Sequence, residues 1–216
     1  MAKVRRRRAP RLSPAERRAA LVAVAARVML RRGYAATQVG HVVREAGVSR
    51  GTFYRHFESK RQLLAALARD LLDRILPGFD RPPDVGSREA LTSALESIAR
   101  RAFETVARDR PIARLVLVGG AASEPAGIRL LAAHDASWRT LVKRLLVRAR
   151  AARVLDDGVD IGLAADLIVG GTQRVLRTTV LRTTVPGAGT PRTGPVDVAV
   201  LAAALARLQV AAVAKR

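Results

Sequence analysis

Residues 37 to 60, TQVGHVVREAGVSRGTFYRHFESK, leave room only for short helices. Val39, Val42 and Val43 share one helical face until Gly47 stops the run. Ser49 then opens a second short segment that ends near Phe57. Longer neighbours flank the pair. On the N-terminal side, SPAE at Ser13 to Glu16 is a capping box with proline at the first helical position, and Leu21, Ala25, Val28 and Met29 follow at helical spacing until Gly33. On the C-terminal side a helix opening around Ser59 carries Leu63, Leu64, Leu67, Leu71 and Leu72 as far as Pro77. Two short helices joined by a glycine turn, inside a three- or four-helix unit, make a helix-turn-helix pattern.

Angular spacing assigns the faces of the second short helix. At about 100° per residue, Phe53 and Phe57 fall together and anchor it to its longer neighbours, with Val48 just before. Gly51 and Arg55 then point away, with Thr52 and Tyr54 on the flanks. Glycine at position 51 lets a backbone come close to a groove, Arg55 can grip a guanine edge with both arms, and Thr52 can meet a thymine methyl or a phosphate. Tyr54 and His56 place polar tips toward phosphate oxygens, and helix starts at Thr37 and Ser49 offer N–H groups to the same anion. Lys60 is expected to meet the strand again. The candidate DNA contacts are therefore Thr37, Ser49, Arg50, Gly51, Thr52, Tyr54, Arg55, His56 and Lys60.

Charge points the same way. The net charge is +21, and residues 1–60 hold 15 basic side chains against three acidic ones. An anionic partner follows from that balance. Residues 1–12, with Lys3, Arg5, Arg6, Arg7, Arg8 and Arg11, form a basic arm with almost nothing apolar to order it, expected to add affinity for phosphates and little specificity.

Residues 33–64, GYAATQVGHVVREAGVSRGTFYRHFESKRQLL, resemble the TetR-type bacterial transcription regulators. The resemblance extends over about 50 residues. It implies phosphate contacts for Tyr54, His56 and Lys60, and groove-facing roles for Thr52 and Arg55. Met29 departs from the family's usual phenylalanine, and a flexible apolar side chain fills a similar space. The resemblance also implies a larger C-terminal helical domain that binds a small ligand and dimerises through its last two helices.

The rest of the chain fits that plan. PGFDRPPDVGS (77–87) is the strongest break, and helices are expected over Ser87 to Arg108, Pro111 to Gly119, about Ala126 to Leu155, about 159–182 and 196–214. The fold class is all-α, about nine helices: a basic arm (1–12), a helix-turn-helix DNA-binding domain (13–60), a connecting helix and Pro/Gly-rich loop (61–86), and a helical ligand-binding and dimerisation domain (87–216). Ile161, Ala165, Ile168 and Thr172, with Leu201, Leu205 and Leu208, are the expected dimer faces. His134 lies on the stripe Leu131, His134, Trp138, Leu141, Leu145, so His134 and Trp138 are candidates to line a ligand cavity with Phe103 across from them.

Other classes of function fit less well. With no cysteine, disulfides, thiolate metal sites and a cysteine nucleophile are excluded. GAGTPRTG (187–194) fails both common phosphate-loop patterns at Arg192 and Pro195, and follows a helix where they need a strand. Neither an enzyme nor a metal or cofactor protein is expected. No uncharged apolar run reaches the roughly 18 residues of a membrane span, and the basic N-terminus lacks the apolar core of a secretory signal, so a cytoplasmic protein is expected. The expected partners are double-stranded DNA with a near-palindromic operator, a second copy of the chain, and an unknown small-molecule effector. The function expected is that of a sequence-specific regulator, a repressor released by its ligand; the alternative is a nonspecific, architectural nucleic-acid binder.

Overall fold

A computed structural model describes residues 13–76, 82–181 and 197–215. The basic arm and the GAGTPRTG loop, with Arg192, lie outside the described residues. Among the described residues nine α-helices run in order: α1 (Pro14–Arg32), α2 (Val39–Ala46), α3 (Arg50–Tyr54), α4 (Lys60–Ile75), α5 (Arg88–Arg108), α6 (Arg110–Leu117), α7 (Pro125–Ala151), α8 (Ile161–Val175) and α9 (Val198–Ala211). Among the described residues there is no strand, only a single antiparallel bridge between Leu155 and Ala214. The chain divides into two compact units between Leu67 and Ala68, a cut that falls inside α4.

The helix starts follow local chemistry. Ser13 accepts a bond from the Glu16 N–H at 3.2 Å, and the Glu16 carboxylate returns to the Ser13 N–H at 2.7 Å. Ser87, Asp160 and Asp197 likewise accept from the first turns of α5, α8 and α9. At α2 the expectation fails. Thr37 is fully buried, its hydroxyl donates back to the Gly33 carbonyl at 2.7 Å, and the capping position passes to Gln38, whose N–H donates to His41 Nδ1 at 3.2 Å. Burial explains the change, because a hydroxyl cut off from water bonds to the nearest carbonyl. Gly47 closes α2 with φ 64°, the left-handed region that favours glycine.

In the first unit α1 packs on α2 and α2 on α3, around Leu21, Met29, Val42, Phe53, Phe57, Leu63 and Leu64. The Arg18 guanidinium of α1 lies 4.8 Å from the centre of the Phe57 ring. Glu45 of α2 pairs with Arg31 and, at 3.9 Å, with Arg27. Lys60 ties the unit together from the start of α4. Its ammonium donates to the carbonyls of Tyr34, Ala35 and Thr37 at 3.0, 3.0 and 2.9 Å, and lies 4.7 Å from the centre of the Tyr34 ring.

In the second unit α5 packs on α9 and α7 on α8. α7 stops at Ala151, four residues before the expected Leu155, where Arg153 adopts φ 59° and turns the chain back. The β-branched run after α8 does not continue as α-helix. Residues Leu176–Val180 widen into a π turn, and the Thr178 hydroxyl donates to the Arg174 carbonyl at 2.9 Å, a back-bond that competes with the regular ladder.

The lysine clasp is open to test. Lys60→Met keeps most of the aliphatic stem and removes three charge-assisted bonds, so it should destabilise the protein by about 1.5–3 kcal/mol. Urea denaturation followed by circular dichroism measures it. A loss below about 0.5 kcal/mol would show that the carbonyls are served equally well by water.

Candidate nucleic-acid interface

α3 is only five residues long, so its packing has to fix its direction. Phe53 and Phe57 are 0% and 2% exposed, and their ring centroids stand 6.0 Å apart. The α-helix ends at Tyr54, before the expected Phe57, yet the Phe57 N–H still reaches the Phe53 carbonyl at 3.0 Å. This last turn carries the second anchor inward. With both aromatics buried, Gly51, Tyr54 and Arg55 are exposed, and Thr52 and His56 are half-buried. Ser49 caps the helix as expected, accepting from the Thr52 N–H at 3.1 Å and lying 3.0 Å from the Thr52 hydroxyl.

Gly51 has no duty inside its own unit. Its φ is not positive, and an added Cβ would meet only the Ser49 hydroxyl, at 3.8 Å, an ordinary contact. Glycine inside a helix costs about 1 kcal/mol relative to alanine. A residue that weakens the helix and relieves no crowding within the protein suits the approach of something outside it. Arg50 and Arg55 are exposed and, among the described residues, neither forms an ion pair. The Arg50 guanidinium reaches back over α2, 3.7 Å from where a Cβ on Gly40 would stand.

Two of the expected contacts sit differently. Thr37 is buried and cannot present its side chain to a strand. Lys60 stands at the start of α4 as expected, but all three of its donor hydrogens are directed at protein carbonyls. Its charge supports the loop before α2, and nothing local in the sequence announces that bond, because Tyr34 and Lys60 are 26 residues apart.

The second unit contains a cavity of about 40 Å³, whose lining includes Leu72 and Ile75 of α4, His134, Asp135 and Trp138 of α7, and Gln173 and Arg177 after it. The structure thus brings His134 and Trp138 together, with ring centroids 6.1 Å apart. Phe103 is fully buried and is not part of that lining. Burial lowers the His134 pKa, opposed by the nearby carboxylates of Asp135 and Asp73, so the imidazole is neutral at pH 7. The Trp138 side chain is buried, and its indole N–H has no hydrogen-bond partner. An orphaned donor of this kind costs about 1–3 kcal/mol. Among the described residues no three His, Cys, Asp or Glu side chains gather to hold a metal, and no helix is long and apolar enough to cross a membrane.

Comparison with known proteins meets this geometry at the same residues. The family model for bacterial regulatory proteins of the tetR family matches residues 21–67. The transcriptional activator FasR of Mycolicibacterium smegmatis is 31% identical over 121 residues, 55% of this chain and 53% of FasR. The transcriptional repressor KstR2 of the same organism is 35% identical over 85 residues, 39% of each chain. The chain thus spans about half or less of the length of these curated relatives. In fold it is similar to the transcriptional regulator FadR of Bacillus subtilis in complex with stearoyl-CoA, with a TM-score of 0.66 at 18% identity, over 89% of this chain and 97% of that one. Residues 21–67 thus form a domain of the tetR family of bacterial regulatory proteins, and most of the chain shares the fold of FadR.

Proposed function

We propose that the protein is a cytoplasmic, homodimeric transcription regulator that reads DNA with α3 and leaves it when a small molecule enters the second unit. The observation that carries the reading is the outward side of α3, where Gly51, Thr52, Tyr54 and Arg55 stand opposite two buried phenylalanines. Arg55 and Thr52 read base edges, while Arg50, Tyr54 and His56 hold the strand. Ser49 and Lys60 keep the helix and its entrance loop in position. Occupying a promoter represses it, the sign of control that KstR2 has, whereas FasR is an activator. A 100-fold loss of DNA affinity on effector binding needs about 2.7 kcal/mol of differential affinity between the two states. Selection of bound sequences from random DNA tests the reading directly. A regulator prefers its operator by roughly 10³–10⁷ over random sequence, whereas an architectural binder selects nothing.

A dimer accounts for an apolar surface on the second unit. The expected face of α8 is turned inward: Ala165, Ile168 and Thr172 are buried, and Gln209 of α9 donates to the Ile168 carbonyl at 3.0 Å and the Thr172 hydroxyl at 3.2 Å. The exposed residues are Leu163 (61%) and Leu167 (67%) on α8, with Leu208 (71%) on α9. These three residues line an open groove of about 370 Å³. A second copy covers such a surface by two-fold symmetry, which in turn sets a near-palindromic operator.

Three substitutions test these assignments. Gly51→Ala should stabilise the free protein by about 0.5–1 kcal/mol while weakening operator binding. Thermal denaturation and a DNA titration on the same variant decide it, and unchanged DNA affinity would remove the reason for a glycine there. Arg55→Ala should cost about 1–3 kcal/mol on the operator and relax preference at one base position. Equal weakening on operator and random DNA would move Arg55 from the groove to the backbone. Leu167→Glu should turn a dimer into a monomer in light scattering, since burying each leucine contributes roughly 1.5–3 kcal/mol. An unchanged mass at micromolar concentration would place the interface elsewhere.

A further inference from the structure

A groove between the end of α4 and the second half of α5 differs in composition from the other hollows of the second unit. It encloses about 460 Å³, and no apolar side chain lines it. Leucine and isoleucine side chains line both the cavity beside Trp138 and the groove of α8 and α9. On α5, Ser97, Arg101, Glu104 and Arg108 recur at helical spacing as one stripe, with Arg100 and Thr105 beside it. Asp73 and Arg74 supply the α4 wall. The Thr105 hydroxyl donates to the Arg74 carbonyl at 3.5 Å and joins the two walls.

Four arginines against two carboxylates leave the groove with an excess of two positive charges. Cations gathered in a hollow repel one another and focus a positive potential there. The protein does little to relieve that repulsion. Arg74 pairs with Asp70 at 3.2 Å, one turn back along α4. Arg100, Arg101 and Arg108 are exposed and form no ion pair among the described residues. Glu104 stands three or four residues from each of them, the separation at which helical ion pairs form, and it pairs with none. The guanidinium fork matches an oxyanion, and a phosphate monoester carries close to two negative charges at pH 7. A ligand carboxylate would offset only half of the excess, and a lipid phosphate would find no apolar bed for its chain. Asp73 and Glu104 can only accept hydrogen bonds, and their complement on a ligand is a set of hydroxyls. The volume suits one small molecule. We infer that this groove binds a small phosphorylated sugar or polyol, its phosphate held by Arg100, Arg101 and Arg108 and its hydroxyls by Asp73 and Glu104. Such binding is independent of how the first unit reads DNA.

Calorimetric titration of the full-length protein with glucose 6-phosphate and with ribose 5-phosphate, at fixed ionic strength, tests the site. A chain of net charge +21 attracts phosphate at many places, so variants have to locate the binding. The double variant Arg101→Gln, Arg108→Gln changes only exposed side chains and should lose roughly tenfold or more in affinity. A thermal melt confirms that it folds. Arg55→Ala, in the other unit, should bind the sugar phosphate as the parent does. Inorganic phosphate should bind more weakly, and unphosphorylated glucose should not saturate. Unchanged affinity in the double variant, or a loss in Arg55→Ala, would put the phosphate elsewhere and overturn the assignment. So would an absence of saturable binding of both sugar phosphates at millimolar concentration, or inorganic phosphate binding as tightly as they do. Without ligand, the double variant should bind DNA as the parent does. Weaker binding to operator and random DNA alike would show that these arginines serve the nucleic acid instead.

Discussion

A helix of five residues cannot hold itself, and that constraint governs the first unit. Isolated helices shorter than about 12–15 residues are marginal in water, so α3 exists only because Phe53 and Phe57 are buried. The same burial determines which side faces out. Truncating either phenylalanine would cost about 3–5 kcal/mol, several times the worth of any exposed side chain on the helix. Stability and the outward direction of α3 are therefore one property. The exposed residues of α3 carry none of that burial.

Lys60 extends the same logic to the loop before α2. Three carbonyls converging on one ammonium fix Tyr34, Ala35 and Thr37 relative to the start of α4. The loop is too short for a core of its own and depends on a charge brought from the next long helix. The residue would also be the natural choice for a phosphate contact by its position in the sequence. A lysine has three donor hydrogens, and in the protein alone all three are engaged.

Much of this was legible in the sequence, and the exceptions share a cause. The helix order, the caps at Ser13, Ser49 and Ser87, and the inward turn of Phe53 and Phe57 rest on spacings of three and four residues, which a sequence displays directly. Thr37 was misassigned as a cap because its burial depends on residues that pack over it. The inner and outer faces of α8 were exchanged because Ile161, Ala165, Ile168 and Thr172 are no more apolar in pattern than Leu163 and Leu167. Only the partner helix α9, through Gln209, decides which of the two is covered. Phe103 shares the core but not the cavity, a difference of direction that composition cannot carry.

Gln209 and Trp138 show how the second unit treats polar groups. Thr172 is buried at 3% exposure, yet its hydroxyl donates to Ile168 and accepts from Gln209, so the group is satisfied twice over. Gln173, the next residue of α8, donates to Asp135. Both glutamines close such pairs from half-buried positions. Against that background the unpaired indole of Trp138 stands out, because a phenylalanine would fill a similar space without a stranded donor. Stability alone favours the phenylalanine. The same reasoning applies to Gly51 in the first unit, where alanine would make the better helix. Each unit thus keeps one residue that its own stability does not ask for.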